Sequence, residues 1–118
     1  MPVARSGPAK LRGGAQFRRV LQSRRKAVGH LLAVHALPAQ TETRTGFIAG
    51  RSVGGAVARN RARRLMRAAW RMVDSTVSSG THVVLVSRPG IRSAGSAEVA
   101  AELTALLRTI GVTNGQGF

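Results

Sequence analysis

The clearest pattern in the chain lies between Gly55 and Ser75, where apolar and basic positions separate onto opposite sides of a helix. At about 100° per residue, Ala62, Leu65, Met66, Ala69, Trp70 and Val73 are expected to gather on one arc, and Arg59, Asn60, Arg63, Arg64, Arg67 and Arg71 are expected on the other. One face packs and the other is a comb of guanidinium groups. Elsewhere the pattern is shorter. Phe17, Val20 and Leu21 at i, i+3 and i+4 predict a helix from Ala15 to about Ser23, with Arg18, Arg19, Arg24, Arg25 and Lys26 around its apolar face. His30 to Leu37 is an apolar run with β-branched members that stops at Pro38, which reads as a strand. Polar residues from Gln40 to Arg44 make a turn before a second strand region, Thr45 to Ser52, closed by Gly54 and Gly55. Val83 to Ser87 reads as the last strand, closed by Pro89 and Gly90. Ala97 to Ile110 follows as a helix, with Val99, Leu103, Leu106 and Ile110 on one side. Glu98 and Glu102 are expected in its first turn, where the macrodipole favours acids.

Length limits the chain to one core. Its 118 residues suffice for a single domain and are too few for two. Gly7, Pro8, Gly13 and Gly14 among basic residues mark 1–14 as a flexible basic arm, 15–110 as the domain, and the Gly-rich 111–118 as a flexible tail. Charge changes the picture most. Seventeen Arg and two Lys face only Glu42, Asp74, Glu98 and Glu102, a formal net charge of +15. Such a chain is expected to bind a polyanion. No apolar run approaches the roughly 20 residues of a membrane span, and the basic N-terminus lacks the apolar stretch of a secretory signal. A cytoplasmic location with no membrane partner is therefore expected. The chain has no cysteine, which excludes disulfides and Cys-rich zinc sites.

A charged helical face is often merely solvated, but such faces mix signs through i, i+4 pairs. Here no acid occurs between Glu42 and Asp74. Like charges gathered on one surface repel unless an anion sits among them, so the comb reads as a binding face. The glycine pair before it leaves the first helical N–H groups open to a phosphate, although Gly-Gly before a helix is more often just a turn.

The string from Arg51 to Arg67, with Gly54-Gly55, Arg59-Asn60-Arg61, Arg63-Arg64 and Arg67, resembles the signature of the bacterial ribonuclease P protein subunit. The similarity extends from about Leu11 to Arg108 and includes Phe17 and the string Val83 to Pro89. It implies an α/β fold, an α+β sandwich with a small mixed sheet, packed helices and a left-handed βαβ crossover, like the second domain of ribosomal protein S5. The usual crossover is right-handed. It also implies the protein subunit of a ribonucleoprotein endoribonuclease whose catalytic RNA removes 5′ leaders from precursor tRNA. The partners are then that RNA and precursor tRNA; Mg2+ is held by the RNA, and no cofactor is bound by the protein alone. By the same resemblance, Arg51, Arg59, Asn60, Arg61, Arg63, Arg64 and Arg67 meet the catalytic RNA. Phe17, Leu21, His35, Ile48, Ser52, Val86 and Arg88 line a cleft for the leader, with Gly50 nearby.

This sequence departs from the family pattern at Ser52, where a second basic residue is common, at Gly55 in place of Asn, and at Leu21 and His35, where aromatics are frequent. Chemistry by the protein itself finds little support. Its three histidines are dispersed and its four acids isolated, with no acid–base pair or metal-ligand spacing. Trp70 on the apolar arc is a core residue, whereas Phe17 and His35 suit either packing or base stacking. Two other classes share the charge and size. One is a ribosomal or ribosome-assembly RNA-binding protein without a nuclease role. The other is a DNA-binding protein with the Arg-rich helix in a major groove, disfavoured because its arginines also occupy strand ends.

Overall fold

A computed structural model describes residues 10, 11, 13–39 and 42–113. Helix α1 (Gly13–Leu21) is followed by strands β1 (Arg25–Val28), β2 (Leu32–Pro38) and β3 (Arg44–Ile48). Helix α2 (Ala56–Val73), strand β4 (Thr81–Ser87) and helix α3 (Ser96–Thr109) complete the chain order, with short 3₁₀ turns at Arg51–Val53, Asp74–Thr76 and Pro89–Ser93. The sheet order is β1-β2-β4-β3, antiparallel except for the β3/β4 pair. Parallel neighbours need a long crossover, and α2 supplies it.

Alternation along the strands assigns each residue a face. Leu32, Val34 and Ala36 of β2, with Val83 and Leu85 of β4, join Met66, Ala69 and Trp70 of α2 and Val99, Leu103 and Leu107 of α3 in the main core. The intervening residues turn to the opposite face, where Val84 packs with Leu11 and Val20 beneath α1. Gly46 makes this approach possible: a Cβ there would overlap the Phe17 ring. Gly54 is required for another reason. Its φ of +143° lies in the region that side chains avoid, and a Cβ would come within 2.9 Å of the Ala58 Cβ at the start of α2.

Several sequence expectations need revision. The first helix begins at Gly13, before Ala15, and ends at Leu21. Arg25 and Lys26, expected around that helix, instead belong to the edge strand β1, whose mostly exposed positions conceal the period of two. The strand region expected to reach Ser52 stops at Ile48, and Ser52 sits in the following 3₁₀ turn. The supposed arm 1–14 is structured in part: Lys10 bridges Thr45, Leu11 is buried and donates its N–H to the Thr45 carbonyl at 3.0 Å, and Gly13 and Gly14 open α1. The tail starting at 111 likewise has a packed beginning, with Val112 buried and Thr113 bridging Val77. The rest of both expected tails, 1–9, Arg12 and 114–118, lies outside the described residues.

Glu102 is also misplaced by the sequence reading. Glu98 does lie in the first turn of α3 and accepts the Gly95 N–H at 2.9 Å, but Glu102 stands well inside the helix. Its carboxylate accepts the N–H groups of His30, Leu31 and Leu32 at 3.0, 2.8 and 2.9 Å. This carboxylate ties the β1–β2 hairpin to α3, and a side chain at Gly29 would collide with it.

Candidate nucleic-acid interface

Helix α2 orients the comb because its apolar arc is fixed in the core. Ala62, Met66, Ala69, Trp70 and Val73 are buried, and Leu65 packs at the edge. The opposite arc therefore faces outward, with Asn60, Arg64 and Arg71 exposed and Arg63 and Arg67 partly buried; Arg59, expected on that arc, stands three residues before Ala62 and so at the angle of Met66 and Trp70, and it is partly buried. Arg63 donates to the Asn60 side-chain oxygen, so the two form one unit. Arg67 lies 5.3 Å from the centre of the Phe47 ring, a cation–π contact that holds the guanidinium at the sheet edge. A depression of about 500 Å³ lined by Arg64, Arg67, Arg71 and Ser96 runs along this surface. Arg51, on the 3₁₀ turn before α2, is exposed.

Arg61 differs from its neighbours. Its guanidinium donates to the carbonyls of Ile91, Arg92 and Ala94 at 3.4, 3.2 and 2.7 Å, fastening the turn after β4 to α2. The Arg-Asn-Arg string thus contains one arginine whose donors face protein carbonyls.

The cleft candidates assemble on the other face of the sheet. Phe17, Leu21, Ile48 and Val86 surround the small core of Leu11, Val20 and Val84 and remain partly open. His35 faces the same side, since it shares the alternation of Ala33 and Leu37. Its Nδ1 is buried without a hydrogen-bond partner. Burial, followed by the charge of Lys26, pulls its pKa below the ordinary histidine value, while a hydrogen bond to the Leu21 backbone opposes the shift. Arg88 is exposed where β4 ends, and its N–H donates to the Leu31 carbonyl at 2.9 Å. Ser52 is exposed on its turn and does not continue the strand face of Ile48; Gly50 caps that turn. Sequence reasoning missed Lys26, which pairs with His35 across β1 and β2 and so adds a cation to the cleft face. Recognising Arg25–Val28 as a strand was the signal that would have found it.

Among the described residues no three His, Asp or Glu side chains come together as a metal site. The site is therefore one of cations, a ring and an imidazole beside apolar surface, which suits binding of a nucleic-acid strand.

The family model for ribonuclease P matches residues 6–111. The chain belongs to the ribonuclease P protein family. Similar proteins include the ribonuclease P protein component of Chloroflexus aurantiacus, 41% identical over 101 residues, with 84% of this chain and 75% of the relative covered. That of Acidothermus cellulolyticus is 34% identical over 112 residues, covering 92% and 93%. Among solved structures, the RNase P protein of Staphylococcus aureus superposes with a TM-score of 0.76 at 18% identity, covering 89% of this chain and 97% of the other. The RNase P protein of Thermotoga maritima gives 0.74 at 20% identity, covering 85% and 96%. The mixed-sheet α/β architecture implied by the sequence motif is thus the fold of the ribonuclease P proteins.

Proposed function

We propose that this ribonuclease P protein component divides its two surfaces between two RNAs. The family's protein acts beside a catalytic RNA in the endonucleolytic removal of 5′ leaders from precursor tRNA. In this chain Arg51, Arg59, Asn60, Arg63, Arg64 and Arg67 meet the catalytic RNA, and Phe17, Leu21, His35, Ile48, Val86 and Arg88 receive the leader, with Ser52 at its rim. Arg61 contributes indirectly by fixing α2 against the turn that carries Arg92. Carrying this reading is the one-signed outer face of α2, which lies across the sheet from the aromatic-lined cleft. Guanidinium groups in a row supply phosphate contacts without base readout, whereas a ring and an imidazole stack on unpaired bases.

Magnesium belongs to the RNA partner in this reading, and the protein's cations lower the repulsion between RNA strands that metal ions otherwise offset. Reaction in the cytoplasm fits a chain in which, among the described residues, no helix is long and apolar enough to cross a membrane. Reconstitution with the catalytic RNA tests the proposal. Addition of the protein should raise cleavage of precursor tRNA at low magnesium, and the protein alone should cleave nothing. Unchanged cleavage would favour the ribosome-assembly alternative.

A further inference from the structure

The sheet face that carries the cleft has a second concavity at its far end. Three residues cross the sheet in one row there: Leu37 on β2, His82 on β4 and Arg44 on β3, paired in register. Together with Gln16 and Arg19 of α1 and with Pro38 and Ala39, they line a pocket of about 500 Å³. The equivalent row at the other end is Ala33, Val86 and Ile48, beside Arg88. The rows are offset by four residue steps along each strand, roughly 13 Å at the usual rise. Between them lie His35, Val84 and Gly46, with Phe17 over the last.

The chemistry of this pocket is that of an anion site. Arg44 has its Nε buried without a hydrogen-bond partner. Burial first, and then the charges of Arg44 and Arg19, push the His82 pKa below the ordinary value, so the three basic groups lie within electrostatic reach of one another. Two guanidinium groups, Arg19 and Arg44, thus line one concavity beside an imidazole that their charges disfavour protonating, and a negative group placed there would relieve their mutual repulsion. The apolar side of the pocket, Leu37 and Pro38, offers a surface for a base or sugar next to a phosphate.

We propose that this pocket holds a phosphate and its adjoining nucleoside from the part of the 5′ leader that extends past Phe17 and His35. The proposal rests on the leader-cleft reading and adds a distal anchor to it. Leader is favoured over the catalytic RNA because the pocket continues the cleft face, under the same helix α1, and lies on the face of the sheet opposite the α2 comb.

Holoenzyme reconstituted with Arg19→Ala/Arg44→Gln protein, and separately with Arg19→Ala alone, tests this with two precursor tRNAs that differ only in leader length. Arg19 is exposed on α1, so the single variant remains informative if the partly buried Arg44 proves necessary for folding. The double variant should weaken binding of the long-leader precursor by roughly tenfold, as expected for lost charge-assisted hydrogen bonds, and leave the short-leader precursor unchanged. Arg19→Ala alone should give a smaller loss with the same leader-length dependence. Equal losses on both precursors, or none on the long one, would overturn the distal anchor. If wild-type holoenzyme held leader-bearing and leaderless tRNA equally, the cleft reading itself would fall, and the anchor with it.

Discussion

The two faces of the sheet are built from the same strands but filled to different extents. Leu32, Val34, Val83 and Leu85 look toward α2 and α3 and are fully buried. Their neighbours His35, Ile48, Val86 and His82 look toward α1, whose nine residues are too few to cover them. Alternating side chains thus let one short β4 carry core packing and a binding surface at once. Stability should therefore be sensitive to one set of positions and leader recognition to the other.

The sharpest way to break this comparison is a pair of adjacent truncations. Leu85→Ala should cost about 3 kcal/mol of unfolding free energy because the cavity lies in a sealed core. Val86→Ala should cost about 1 kcal/mol, since water already reaches its side chain. Equal losses in denaturant titrations would mean that the second face is as closely packed as the first.

A smaller effect is expected at Glu102. Glu102→Gln leaves the three backbone N–H groups of the hairpin with a weaker acceptor and should destabilise by about 2 kcal/mol, with earlier hydrogen exchange at His30 to Leu32. A stability loss without faster exchange there would place the role of Glu102 elsewhere.

Within the comb, Arg61 and Arg63 separate fold from binding. Arg61→Ala should lower stability by about 1 kcal/mol and leave the salt dependence of RNA affinity unchanged. Arg63→Ala/Arg67→Ala should do the reverse, reducing the log–log salt slope by up to roughly 0.9 per lost phosphate contact. An unaltered slope with unaltered affinity would mark the comb as a solvated face.

The smallest effect concerns pH. His35 and His82 both have folded-state pKa values below the ordinary 6.5, so the unfolded chain binds protons that the folded chain resists. Stability should accordingly be highest above that value and decline as pH falls through it. His82→Gln should flatten the decline in thermal melting measured from pH 7.5 to 5.5, while leaving the high-pH limit nearly unchanged.

Helix α2 was legible in the sequence because eighteen residues of one period leave little room for another reading, and its buried arc matches the expected one. Phe17, His35, Ile48 and Val86 were placed together on the cleft by the family resemblance. The remainder escaped for identifiable reasons. β1 is a four-residue edge strand whose charged residues look like a loop. Ser52 falls in a 3₁₀ turn beyond the end of β3, outside the strand region expected to reach it. Glu102 and Arg61 make their contacts with backbone groups about 70 and 30 residues away, and no local pattern encodes such partners. The pocket row of Leu37, His82 and Arg44 exists only once three strands are in register.

The division of labour is tested most directly by one ratio, the affinity of reconstituted holoenzyme for precursor tRNA over that for leaderless tRNA. Phe17→Ala/His35→Ala should lower this ratio, by about 1 kcal/mol for each base that stacks on a lost ring. Arg63→Ala/Arg67→Ala should weaken both tRNA complexes through the catalytic RNA and leave the ratio unchanged. A ratio that falls equally in the two variants, with both proteins folded, would contradict the assignment of the leader to the cleft and the catalytic RNA to the comb.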